Sequence, residues 1–229
     1  MGFSAADSLN ITQLEPRYTQ RLDLSNFKRK KPLRDNFEQP APMFFKQQTE
    51  LLEFDLASEL SAAIGTVCHH VLQVMGEQGQ WLMPFKLNEL THLLKEQGVL
   101  PINIKQAVDR VTGIINNCLK DQRCRWMLDN THEDSQFERA VSGVINNERV
   151  QARLDRSFVD KGIRWIIDYK TSQLDQGSIE AFLDQEVLTY RPQLERYANI
   201  MQTIDSRPIM LGLYYPEFKG WRAWQYDGS

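Results

Sequence analysis

The stretch VQARLDRSFVDKGIRWIIDYKT, residues 150–171, decides how this chain folds. Val150 to Phe158 is extended in character, Asp160-Lys161-Gly162 is turn chemistry, and Ile163 to Tyr169 is rich in β-branched and aromatic residues. Two strands joined by so short a turn make a hairpin. With the turn centred between Lys161 and Gly162, the numbers of facing residues sum to a constant, so Asp155 falls opposite Asp168 with the two Cβ atoms roughly 5 Å apart. Side chains alternate along a strand, which puts Lys170 on the face of Asp168.

Two adjacent carboxylates repel, and a hydrophobic strand such as W-I-I-D-Y has no packing use for one of them. A cation between them removes the conflict. Hard oxygen ligands suit Mg²⁺ or Mn²⁺, which polarise a phosphoryl oxygen and activate a water, while a nearby lysine stabilises developing negative charge. A D-x-K spacing alone is more often a solvent-facing pair on an amphipathic strand, so the neighbouring segments carry weight. Phe137 to Ile145 is also strand-like, and Asn146-Asn147 is a type I′ turn signal leading into Glu148 to Asp155. Centring that turn on the two asparagines places Glu138 opposite Asp155. Glu138, Asp155, Asp168 and Lys170 would then share one face of a three-stranded meander, unless a bulge at Gly143 shifts Glu138 out of line.

At these residues the sequence resembles the RecB-type nuclease domain of the PD-(D/E)XK superfamily, most like the C-terminal nuclease of AddA and RecB helicase-nucleases. Gly65-Thr66-Val67-Cys68-His69 is similar to the family's G-T-x-x-H helix, Glu138 to its acidic residue before the central strands, and Val150 to Arg156 to its V-Q-G-R-I-D-R block. Asp168-Tyr169-Lys170-Thr171 matches its D-Y-K-T block, and Gln193 with Tyr197 its Q-x-x-x-Y helix. A lone D-Y-K-T is weak, whereas five blocks in order over roughly residues 55–225 are specific.

The resemblance implies an α/β fold of the restriction-endonuclease-like type, a mixed central sheet flanked by helices. It implies that His69, Asp155, Asp168 and the Tyr169 carbonyl bind Mg²⁺, with Mn²⁺ as substitute, that Lys170 and Glu138 join the two aspartates in catalysis, and that Gln193 and Tyr197 contact DNA or support the site. The implied function is a metal-dependent deoxyribonuclease, an exonuclease of the RecB/AddA type, in DNA double-strand-break repair and recombination. Ala152 departs from the family's usual Gly. Iron-sulfur versions of the family need four cysteines, and this chain has three, none flanking the blocks, so no cluster is expected.

The remaining sequence is read more plainly. Its 229 residues and ordinary apolar share suit one α/β domain over residues 46–229, preceded by a polar linker or strap over 1–45. That strap carries a basic run, Lys28-Arg29-Lys30-Lys31 with Arg34, read as solvated or as a DNA-contacting arm. The net charge of −3 is unusual for a chain that recruits DNA unaided. No apolar run approaches a membrane span and no signal peptide is evident, so the expected location is cytoplasmic. Cys68, Cys118 and Cys124 form no C-x-x-C pair and read as reduced core or surface thiols.

Helical periodicity covers Phe54 to Met75, Leu87 to Glu96, Ile102 to Lys120, Ile179 to Val187 and Pro192 to Gln202. His70, one position round the helix from His69, should point elsewhere, and His92 and His132 read as surface residues. Ile209 to Tyr215 and Trp221 to Tyr226 read as closing strands. Their aromatics Tyr214, Tyr215, Trp221 and Trp224 suit a core better than base stacking. With no phosphate loop of the G-x-x-x-x-G-K-[ST] form in the sequence, a helicase motor would be a partner, in the same polypeptide or complex. Two competing readings remain: a stand-alone phage-type exonuclease, and a catalytically silent DNA-binding module of the same fold.

Overall fold

The computed structural model describes residues 42–145, 148–174 and 177–228; the basic run and the Asn146-Asn147 turn lie outside them. The elements in chain order are α1 (Pro42–Gln78), α2 (Leu87–Glu96), α3 (Ile104–Leu119), α4 (Gln122–Leu128), β1 (Glu133–Ile145), β2 (Glu148–Asp160), β3 (Ile163–Tyr169), α5 (Ile179–Gln202), β4 (Ile209–Tyr215) and β5 (Gly220–Tyr226). They build a mixed α/β fold around one five-stranded sheet of order β1-β2-β3-β4-β5, antiparallel except where β3 meets β4. A parallel pair needs a long crossover, and α5 supplies it.

The hairpin turn follows the sequence reading. Asp160 faces Ile163 and Arg156 faces Ile167, with Lys161 and Gly162 at φ of 51° and 77°. Positive φ at both central residues is the type I′ geometry whose twist suits paired strands, and Gly162 adopts it at no steric cost. The β1–β2 register is also the expected one. The same register holds from Ile145 opposite Glu148 to Gln136 opposite Ser157, on both sides of Glu138, with no bulge at Gly143; the register shift lies between Glu133 and Gln136.

Helices cover both sheet faces, which is why β3 and β4 read as nearly continuous apolar runs. α1 to α4 close on Phe158, Ile167, Tyr169 and Tyr214, and α5 closes on Leu154, Ile166, Leu213 and Tyr215. All three cysteines are buried and free, so the surface option for them falls away. Tyr214 and Tyr215 are fully buried, and Trp221 and Trp224 pack against the two cores, which makes that aromatic set structural.

Two expectations need correction. The pair of helices read before and after Pro192 is the single helix α5. Proline costs roughly 3 kcal/mol in a helix interior, but the buried stripe Leu183, Leu194, Ala198 and Met201 offsets it across the break. His132 is not a free surface residue: its ring stacks on Phe158 with centroids 4.3 Å apart, and Nε2 lies 2.8 Å from the Trp126 carbonyl.

Two fully buried arginines tie the sheet to its surroundings. Arg156 donates to the carbonyls of Met127 and Asp129 at 2.5 and 2.7 Å and is packed between the Phe137 and Phe158 rings; burial pushes its guanidinium down to about 10. Arg164 donates to Asp205 at 2.8 Å and Asp134 at 2.7 Å. Burial would raise the Asp205 carboxyl, yet the Arg207 backbone N–H and the Arg164 guanidinium hold it below its usual value. Arg164→Ala leaves that buried carboxylate without its closest partner and is expected to cost roughly 3–5 kcal/mol in urea unfolding at pH 7. A depressed carboxyl stabilises the fold above its unfolded pKa and loses that contribution as pH falls through the folded value. The variant's deficit should therefore shrink on acidification below about pH 4; a deficit under about 1 kcal/mol at pH 7 would make the ion pair energetically idle.

Candidate metal centre

The centre forms where β1, β2 and β3 meet α1. Strict alternation would send the even-numbered residues of β2 to one face, but Val150 and Leu154 pack toward α5 whereas Phe158 packs toward α1. The faces exchange at Glu138 and Asp155, where Glu138 adopts a φ of 48°. Arg139–Leu154 and Phe137–Arg156 flank this point in the ladder, which sets Glu138 opposite Asp155. The expectation that four site residues share one flat face is thereby modified. Asp155 sits at the crossing, able to reach α1 on one side and β3 on the other.

Asp155 Oδ2 accepts the backbone N–H of Tyr169 at 2.8 Å and lies 3.5 Å from His69 Nδ1. His69 Nε2 is 2.9 Å from the Tyr169 carbonyl oxygen. Both ring nitrogens thus face acceptors, and only the doubly protonated imidazolium can donate to both. Burial alone would lower the His69 pKa, but the hydrogen bond and charge of Asp155, reinforced by Asp168, raise it to about 8. The carboxylates of Asp155 and Asp168 favour positive charge at this point.

One ligand atom each from His69, Glu138 and Asp155 lies within 4.8 Å of the others. Burial and the adjacent Asp155 carboxylate push Glu138 upward. Asp168 is buried beside them, and burial first, then Asp155, raise it to about 6. Its Oδ2 lies 2.8 Å from Lys170 Nζ, an ion pair outside hydrogen-bond alignment, so that buried oxygen retains capacity to accept. An imidazole and two carboxylates gathered within 4.8 Å, with the buried Asp168 carboxyl interacting with Asp155 and the Tyr169 carbonyl against His69, suit a small divalent cation.

Lys170 is on the Asp168 side as read, and its ammonium also sits 4.1 Å from the Tyr190 ring centroid. Burial would lower its pKa, but Asp168 outweighs this and holds it up, so the ammonium stays charged. Gly65 joins two of the sequence blocks: a Cβ there would come 2.9 Å from Thr171 Oγ1, so the bare α-carbon lets α1 approach the end of β3. Ala152 is away from these contacts, paired with Val141 and packed on the α5 side.

Gln193 and Tyr197 are not brought to the cluster by any described hydrogen bond; Gln193 Nε2 donates to Tyr197 Oη at 2.7 Å. His70 lies against Phe85, and His92 pairs with Glu96 at the surface. Two residues near the site escape the motif reading. Tyr190 precedes Gln193 by three positions, the spacing of one helix face, so the stripe Tyr190-Gln193-Tyr197 was there to extend. Arg110 on α3 donates to the Thr171 carbonyl at 3.0 Å and to Glu217 at 2.9 Å. A charge flanking the buried stripe Ala107, Val111 and Ile114 was its one signal.

Fold and site together define a class: a mixed α/β domain, its mostly antiparallel five-stranded sheet flanked by helices, with a histidine–carboxylate cluster and a lysine at the end of the central strands. Particular relatives follow from the sequence. The chain is 20% identical over 222 residues to an ATP-dependent helicase/nuclease chain of Staphylococcus aureus strain JH9, and equally to its counterparts in strains JH1 and USA300. The match covers 91% of this chain and 17% of each relative. No family model matches. Among solved structures, the crystal structure of SSO0001 aligns over 78% of each chain at 16% identity and a TM-score of 0.30. No helix among the described residues is long and apolar enough to cross a membrane.

Proposed function

We propose that the chain is a metal-dependent DNA nuclease domain of the PD-(D/E)XK type, which hydrolyses phosphodiesters with Mg²⁺ and works beside a helicase motor in double-strand-break repair and recombination. The observation that carries the reading is the convergence of His69, Glu138 and Asp155 within 4.8 Å, with the Asp168–Lys170 pair next to it. The relatives' name, which joins an ATP-dependent helicase to a nuclease, supports both the chemistry and the partner.

His69, Asp155, Asp168 and the Tyr169 carbonyl would hold the divalent cation, which would supply Lewis acidity when bound. Lys170 keeps its charge and faces the phosphoryl oxygens as they gain negative charge. Glu138, with its raised pKa, is placed to take a proton from the attacking water. Tyr190 holds the Lys170 ammonium in position from below.

The test is end-labelled linear DNA incubated with the purified chain in Mg²⁺, in Mn²⁺ and in excess chelator. Cleavage is expected with either metal and none with chelator. Absence of cleavage with both metals, together with no rise in Tm on adding Mn²⁺, would end the nuclease reading and leave a silent module.

A further inference from the structure

β1 and β2 run on well past the rest of the sheet. β2 pairs with β3 only over Arg156–Asp160, so Ala140–Ile145 and Glu148–Leu154 form a two-stranded arm of their own. One face of the arm closes on α5 through Val141, Val150 and Leu154, which are buried. The other face is open, and exposure alternates along both strands: Ala140, Ser142 and Val144 are exposed, and so are their partners Arg153, Gln151 and Arg149.

Between Ala140 and Val144 and between Arg149 and Arg153 this open face carries two arginines and, among the described side chains, no carboxylate; Glu138 stands at its inner end. Arg149 makes no ion pair with a described residue. Arg153 is 69% exposed, and its one described ionic partner is Glu138, 3.8 Å away. The row Arg149-Gln151-Arg153 therefore ends at the metal cluster. Residues two apart on a strand are about 7 Å apart and residues four apart about 13 Å, so the guanidiniums are spaced along a line with a neutral hydrogen-bonding side chain between them. The small side chains Ala140 and Ser142 leave a shallow cavity of about 470 Å³ beside that line, open to solvent.

We propose that this face of the β1–β2 arm carries one phosphate backbone of a DNA strand into the metal centre, with Arg149 and Arg153 on phosphates and Gln151 on phosphate or sugar. Charge selects the occupant: Arg149 has no described carboxylate partner and the exposed Arg153 only the 3.8 Å contact to Glu138, so the row suits a polyanion, and a single row suits a single backbone. The assignment rests on the nuclease reading for the direction of the track, and its test is independent of cleavage. It also accounts for how a chain of net charge −3 could hold DNA at all. Binding should be weak and only shallowly salt-dependent, because two contacts contribute about 1.4 to the slope of log K against log salt for a single strand.

The experiment follows binding of a fluorescein-labelled single strand of about 20 nucleotides to the full chain, without divalent metal, over a NaCl series. Arg149→Ser and Arg153→Ser should each weaken binding about fivefold at about 0.1 M salt, and the double variant about 25-fold with a slope shallower by about 1.4. Arg149→Lys with Arg153→Lys should restore most of the slope, since lysine keeps the point charge. An unchanged affinity and slope in the double variant would overturn the track and leave the face to a protein partner. Mg²⁺-dependent cleavage by the parent is scored separately. If cleavage persists while the arm proves silent, the track fails and the nuclease reading stands; if the arm binds and nothing is cut, the nuclease reading fails and the surface stands.

Discussion

Asp155→Ala and Asp168→Ala are each expected to abolish Mn²⁺ binding and to lower turnover by about 10³-fold or more, because Lewis-acid stabilisation is worth several kcal/mol and about 1.4 kcal/mol is a factor of ten. With one carboxylate gone, a small divalent ion has too few protein oxygens. The two positions should differ in what else they disturb. Asp155 also accepts the Tyr169 N–H at 2.8 Å, so its alanine variant leaves a strand donor without its partner, whereas Asp155→Asn keeps an acceptor there. Asp168 is held up to about 6 by burial and by Asp155, so its ionised form strains the metal-free fold. At pH 7 the metal-free Asp168→Asn protein should be at least as stable as the parent. Titration calorimetry with Mn²⁺ and thermal melts measure both effects. Parent-like metal affinity in both alanine variants would refute the ligand assignment.

Lys170→Ala should lose on the order of 10²-fold or more in turnover while metal affinity stays close to that of the parent, since an ammonium aimed at developing charge is felt in the rate. The structure adds a graded control. Tyr190→Leu removes the ring 4.1 Å from the ammonium but leaves the charge and its Asp168 partner. A cation–π contact of roughly 0.5–2 kcal/mol then sets its loss at about 2- to 30-fold. Single-turnover kinetics on a labelled duplex separates the two. A Lys170→Ala rate within a few-fold of the parent would make Lys170 a structural neighbour of Asp168 and nothing more.

Much of the site was legible because its spacing is set by short-range chemistry. Positive φ at Lys161 and Gly162 closes a two-residue turn, and once the turn is placed the pairing of β2 with β3 follows by counting. The same counting across Asn146-Asn147 put Glu138 opposite Asp155, and the register either side of that pair agrees. His69 was reached through its motif alone, since a helical histidine has no local feature that marks it as a ligand. Its two acceptor partners, Asp155 and the Tyr169 carbonyl, lie on other elements.

What the sequence by itself determined was local: where most strands and helices form, and which residues face each other across a tight turn. The tertiary structure decided the rest. α5 continues through Pro192 because buried residues before and after it are held by the same sheet. His132 is drawn inward by Phe158 and the Trp126 carbonyl. The β1–β2 arm exchanges faces at Glu138, which turns a flat row of acids into a cluster gathered around His69. Turn and helix propensities are energies of neighbours in the chain and can be counted from it. Face exchange, a proline tolerated inside a helix and the raised pKa of His69 depend on contacts between residues distant in sequence, whose energies exist only once the elements have packed.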